Sequence, residues 1–134
     1  MGVFRFKRFN VVNERSAMKV NTDGVLLGAS MTIRPSDRHL LDVGTGTGTI
    51  ALMAAQRLSD LICRPQPIEG DVSRPEGVSI TAIDIDEASA TEATENFRNS
   101  PWADMLSAQN ITLDAYSATK KKKKRFDHIF SNPP

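Results

Sequence analysis

Residues 40–52 read Leu-Leu-Asp-Val-Gly-Thr-Gly-Thr-Gly-Thr-Ile-Ala-Leu. Positions 40–43, Leu-Leu-Asp-Val, read as a short strand with apolar residues at three of its four positions. Three glycines, Gly44, Gly46 and Gly48, follow at alternate positions, and then Ile50, Ala54, Leu58 and Leu61 recur at helical spacing. Strand, glycine turn and helix in immediate succession predict a β-strand over 40–43 and a helix over 47–61. Glycine is needed at such a turn because it lacks Cβ and tolerates positive φ, so the backbone can come close to a ligand. The helix N-terminus behind the turn offers free N–H groups to it.

Downstream the pattern alternates again, which is the mark of an α/β protein with a parallel sheet. Residues 63–77 carry Pro65, Pro67 and Pro75 among polar neighbours and predict a long, mobile surface loop. A second strand is predicted over 78–83. Asp86 is placed to cap a helix over 87–98, with Ala90, Ala93 and Phe97 facing the sheet and Asn99-Ser100-Pro101 stopping it. A third strand is expected within 106–113 and a fourth over 126–131. Upstream, Phe4, Phe6, Phe9 and Val11 alternate with polar residues apart from one slip near Lys7-Arg8, which predicts short strands bent around a bulge. Thr22-Asp23-Gly24 then offers a helix start, and residues 34–37, Arg-Pro-Ser-Asp, close that segment as a turn. This divides the chain into an N-terminal flap and helix, 1–38, and a larger unit, 39–134.

The chain has 134 residues, 40% of them apolar and 25% charged, which suits one soluble domain with a modest core. No apolar run approaches the roughly 20 residues of a membrane span, and the N-terminus lacks a signal-peptide core, so a cytoplasmic protein with no membrane partner is expected. One cysteine, Cys63, forms no internal disulfide, and two histidines, His39 and His128, give no plausible zinc set. The formal charge of +1 excludes a globally basic nucleic-acid binder. Six consecutive cations at 120–125 are the local exception, readable either as a solvated loop or as an RNA contact.

The acidic residues around the glycine turn discriminate between cofactors. In dinucleotide sites the glycines are spaced Gly-x-Gly-x-x-Gly and a ribose-binding acid follows about 20 residues on. Here the third glycine comes one residue early, and the acid ending the next strand, Asp84, is displaced much further. Asp42 stands two residues before the first glycine, where a carboxylate suits a cationic amino group better than a pyrophosphate. That favours the amino-acid end of S-adenosylmethionine over NAD. Asp84 is then placed to accept from both ribose hydroxyls, with Ile85 packing on the adenine. Gly44, Gly46 and Gly48 complete the expected cofactor set.

With these residues the chain resembles the class I S-adenosylmethionine-dependent methyltransferases, and its end narrows the resemblance. Asn132-Pro133-Pro134 follows a strand in the position of the Asn-Pro-Pro-aromatic motif of enzymes that methylate amino groups conjugated to a ring or carbonyl. The Asn side chain and a prolyl carbonyl accept the amino protons and localise the nitrogen lone pair, so Asn132, Pro133 and Pro134 are the catalytic candidates. Residues 17–29, Ala-Met-Lys-Val-Asn-Thr-Asp-Gly-Val-Leu-Leu-Gly-Ala, closely resemble the N-terminal signature of bacterial tRNA (adenine-N6) methyltransferases that modify the adenosine just 3′ of the anticodon in a valine tRNA. Residues 4–9 and 95–103 add further similarity.

The resemblance implies a Rossmann-like sheet with helices on both faces, here its N-terminal half in strand order 3-2-1-4. It also implies S-adenosylmethionine as cofactor, tRNA as partner, no metal, and methyl transfer to the N6 amine of an adenosine. Lys19, Thr22 and Asp23 become candidates for closing the site or touching substrate. Two departures stand out. Thr112 occupies the place where such enzymes often carry an acid for the cofactor's adenine amine, so Thr112 or Asp114 is left for that role. The family also continues well past Asn-Pro-Pro, starting with its aromatic stacker. A truncated chain is therefore expected, inactive alone, monomeric when complete and self-associating through strand four when not. Methylation of a protein glutamine amide, which presents the same delocalised nitrogen, and a non-catalytic cofactor-binding module are the other readings.

Overall fold

Leu40 and Leu41 are adjacent, and both are buried, although they point to opposite faces of their strand. Burial on both faces is what a central parallel strand requires, and it organises the whole molecule. The computed structural model describes residues 2–17, 19–62, 77–119 and 126–133. All but Gly77 of the loop predicted over 63–77, Cys63 included, lies outside these residues, as do the lysine run and Pro134.

The chain begins with an antiparallel hairpin, β1 (Val3–Arg5) and β2 (Asn10–Val12), then α1 (Thr22–Ser30). Next come β3 (His39–Val43), α2 (Thr49–Ile62), β4 (Ser79–Asp84), α3 (Glu87–Arg98), β5 (Leu106–Asn110), α4 (Leu113–Thr119) and β6 (His128–Ser131), with a short 3-10 turn over Ala103–Met105. The four larger strands form one parallel sheet in the order β5-β4-β3-β6, the order expected from the sequence. Leu41 stands beside Thr81 of β4 and Ile129 of β6 in this register, so the strands end level with one another at Val43, Ile83 and Ser131.

One face of the sheet carries the main core. Leu40, Ile80 and Ala82 meet Leu52 and Leu58 of α2 and Ala93 and Phe97 of α3. Phe9 and Val11 of the hairpin, and Met31 and Ile33 after α1, join the same core, so the N-terminal segment is continuous with the sheet domain in packing. On the opposite face Leu41, Ile83 and Tyr116 make a smaller cluster under α4. β6 is an edge of the sheet among the described residues, and its Ile129 is 59% exposed.

Four details differ from the sequence reading. Leu61 is 38% exposed, and Ile62 beside it packs against the main core instead. The Phe4 to Val11 stretch is a hairpin in continuous register, with Arg5 opposite Asn10, and no bulge is needed. α1 is capped by Asn21, whose Oδ1 accepts from Gly24 N at 2.8 Å, one residue before the predicted start. α4 was not expected at all: Thr112 starts it by accepting Ala115 N–H on its hydroxyl.

Candidate cofactor and substrate site

A cavity of about 450 Å³ opens at the carboxyl ends of β3, β4 and β6. That is where parallel sheets bind ligands, and the volume falls in the range of cofactor pockets. Gly44 and Gly46 form its floor, Asp84 and Ile85 one wall, Ile111 and Leu113 another, and Asn132 and Pro133 the side next to β6. Ala17 and Asp86 close the remaining side.

The three glycines do different work. All have positive φ, at 75° for Gly44, 57° for Gly46 and 86° for Gly48. A Cβ on Gly44 would meet no protein atom within 4 Å, so the space beside it belongs to the cavity. A Cβ on Gly48 would stand 2.6 Å from Phe97 Cε1, and Gly48 does not line the cavity: it lets α2 pack against α3. Gly46 donates its N–H to Asp84 Oδ2 at 2.8 Å.

Asp84 is thereby held between two elements, since its Oδ1 accepts from Asp86 N at 2.9 Å. Each oxygen keeps acceptor capacity toward the cavity. Ile85 beside it is 77% exposed, an unusual burial state for isoleucine and a flat apolar surface at the cavity wall. Asp86 caps α3 through Ser89 N at 3.1 Å and also accepts from the Ser89 hydroxyl at 2.6 Å, which holds its carboxyl below the usual range.

Asp42 lies under the loop and lines no cavity wall. It is 1% exposed, with Oδ2 accepting from Thr45 Oγ1 at 2.8 Å and Oδ1 without a partner among the described residues. Burial pushes its pKa up to about 7, against the Thr45 hydrogen bond and with a further contribution from the charge of Asp84. A buried orphan acceptor beside the glycine turn is satisfied by a proton or by a cationic group.

Lys19, Asn21, Gly24 and Thr45 line a second, smaller cavity that shares Gly44, Gly46 and Asn132 with the first. Lys19 Nζ donates to the carbonyls of Asn13 and Glu14 at 3.1 and 3.2 Å. Thr22 and Asp23 line neither cavity, and Thr112 is absent from both walls, its hydroxyl being used in starting α4. Asp114 lines neither as well. No group of three His, Cys, Asp or Glu placed to hold a metal occurs among the described residues, and no described helix is long and apolar enough to cross a membrane.

The sequence reading missed the supports of this site on α3. Glu92, fully buried, accepts from Glu14 N, Arg15 N and Ser16 N, at 3.0, 2.8 and 3.2 Å. Asn96 accepts from Val12 N and donates to the carbonyls of Val12 and Thr47. One helix face thus holds the segment that ends in Ala17 at the cavity and the glycine turn that floors it. The one signal was a Glu and an Asn four residues apart beside the Ala93 and Phe97 stripe.

A parallel sheet in this order, with a glycine turn and an acid at the ends of its two middle strands, has the Rossmann-like class I methyltransferase fold. Solved structures agree: the chain is similar to the O-methyltransferase from Bacillus cereus in complex with SAH, with TM-score 0.57 and 18% identity over 88% of this chain and 47% of that one. It is also similar to the O-methyltransferase TomG from Streptomyces achromogenes, with TM-score 0.53 and 15% identity over 82% and 41%. Within that class, its sequence is homologous almost end to end with proteins named tRNA1(Val) (adenine(37)-N6)-methyltransferase. Identity is 42% to the protein from Flavobacterium psychrophilum, 41% to that from Vibrio parahaemolyticus and 43% to that from Bacteroides thetaiotaomicron, each over 98% of this chain. The chain spans about half the length of these relatives, at 48%, 46% and 46%. No family model matches it.

Proposed function

We propose that this chain carries the cofactor half and the first catalytic residues of a tRNA adenine-N6 methyltransferase. The observation that carries the reading is the meeting, in one cavity, of Gly44 and Asp84 on one side with Asn132 and Pro133 on the other. The relatives' names supply the acceptor, adenosine 37 of a valine tRNA.

The residues present fit S-adenosylmethionine. The open space at Gly44 accepts a ligand against backbone, the held carboxylate of Asp84 suits vicinal ribose hydroxyls, and exposed Ile85 suits a purine face. The orphan Oδ1 of Asp42 suits the field of a cationic amino group. When bound, this cofactor supplies an electrophilic methyl group on a sulfonium.

The chain's own contribution is to prepare the nitrogen. The lone pair of an adenine N6 amine is delocalised into the ring and is a poor nucleophile. Asn132 Oδ1 and the Pro133 carbonyl accept the two amino protons, turn the lone pair out of conjugation and hold it in line. No strong general base is required, since the proton leaves after the new bond forms.

The test is incubation of the intact, full-length protein with labelled S-adenosylmethionine and either tRNA or a release factor, the protein acceptor of the glutamine reading. Label in tRNA is expected, and label only in protein overturns the choice of acceptor. Asp84→Ala should weaken cofactor binding by on the order of tenfold or more, about 1.4 kcal/mol. Asn132→Ala should leave binding intact and slow transfer, and the reverse pattern would show the two roles wrongly assigned.

A further inference from the structure

We propose that Gly24, in the first turn of α1, is a positioning residue for Asn132. The inference rests on the reading of Asn132 as the amine-orienting side chain. A Cβ built on Gly24 would stand 3.2 Å from Asn132 Nδ2, its nearest neighbour, and 3.5 Å from Asn21 Oδ1. Gly24 is buried, and it shares the second cavity with Asn132. A side chain at position 24 would therefore crowd the carboxamide, which would have to give by a few tenths of an ångström.

This contact matters because Asn132 has no hydrogen-bond partner among the described residues. With its Nδ2 end against α1, the Oδ1 end of the same planar group is left to accept an amino proton. Asn132 follows β6 on a loop, whereas α1 is tied at both ends. Asn21 Oδ1 accepts from Gly24 N at its start, and Arg57 Nη1 of α2 donates to the Gly28 and Met31 carbonyls at 3.0 and 2.6 Å at its end. A methyl group at position 24 is therefore relieved by rotation of Asn132 and not by retreat of the helix. A displacement of that size at a reacting group lowers rate without removing cofactor contacts.

Gly28 supplies the control. It lies one turn along the same helix, and a Cβ there would meet Met53 at Sδ, Cε and Cβ, with no Asn132 atom among its three nearest neighbours. Gly28→Ala adds a methyl group to the same helix against Met53, so it tests whether disturbing α1 anywhere is enough to move Asn132. In ¹⁵N-labelled protein, the Asn132 side-chain amide resonances are identified by their loss in Asn132→Asp. Gly24→Ala should shift them and Gly28→Ala should not. Methyl transfer should fall on the order of tenfold in Gly24→Ala with cofactor Kd kept within about threefold. Unmoved Asn132 resonances in Gly24→Ala, or an equal shift in Gly28→Ala, overturns the proposal. Transfer is assayed in the full-length protein, where its absence with tRNA overturns the tRNA reading instead, and the resonances then decide on Gly24 alone.

Discussion

Asp42 shows what a residue's environment adds to its identity. With its folded pKa raised to about 7 from 3.8, the native state holds a proton that the unfolded chain gives up. Its contribution to stability is therefore full below about pH 4, falls as pH rises toward 7, and is lost above that. Asp42→Asn retains an acceptor for Thr45 and removes the titration. Between pH 4 and 8, urea unfolding of the wild type should lose on the order of 3 kcal/mol relative to this variant. Parallel pH profiles would show that Asp42 ionises normally. Gly44 and Gly48 make a second contrast. Gly48→Ala meets Phe97 at 2.6 Å with φ at 86°, and should destabilise by about 2 to 4 kcal/mol. Gly44→Ala meets nothing within 4 Å, and should cost about 1 kcal/mol in calorimetric stability while weakening cofactor binding. The glycine spacing was legible in the sequence as a tight turn between strand and helix. Which glycine faces the cavity was not, because that depends on where Phe97, 49 positions later, comes to rest.

The elements themselves were largely legible, because each strand and helix of the sheet domain carries its own period. Ala90, Ala93 and Phe97 predicted the inner face of α3, and all three are buried. Glu92 and Asn96 belong by type to a solvated face, yet they are 0% and 1% exposed, because the segment after β2 lies over them. Local sequence carries no sign of a partner 77 residues away. This predicts where α3 is fragile. Glu92→Ala strands three backbone N–H groups in a buried setting and should destabilise the fold by on the order of 3 kcal/mol. Hydrogen exchange should show protection falling first at the amides of Glu14, Arg15 and Ser16. Loss of protection spread evenly over the chain would show that α3 does not act as a local clasp. Thr112 teaches the converse. Alignment with a family pattern marked it for the cofactor, and its hydroxyl starts a helix that no apolar period in 113–119 had announced.

At the scale of the whole molecule, charge must be weighed by where it lies. The net value of +1 includes six cations in the run 120–125, so the rest of the chain is net acidic. A tRNA backbone approaching such a surface is repelled unless local cations receive it. In the proposed tRNA complex, binding therefore draws on a few concentrated cations, and its salt dependence counts them. Each phosphate contact contributes about 0.7 to 0.9 to the slope of log K against log salt. Replacing Lys120, Lys121, Lys122, Lys123 and Lys124 by serine should weaken tRNA binding at low salt and flatten that slope by at least one contact's share, with cofactor affinity unchanged. An unaltered slope would place the RNA-facing cations elsewhere, and the run would then be a solvated loop. The two outcomes separate cleanly, because the contacts proposed for Gly44, Asp84 and Asn132 act through hydrogen bonds and shape at close range. A change in screening reaches the RNA backbone without reaching them.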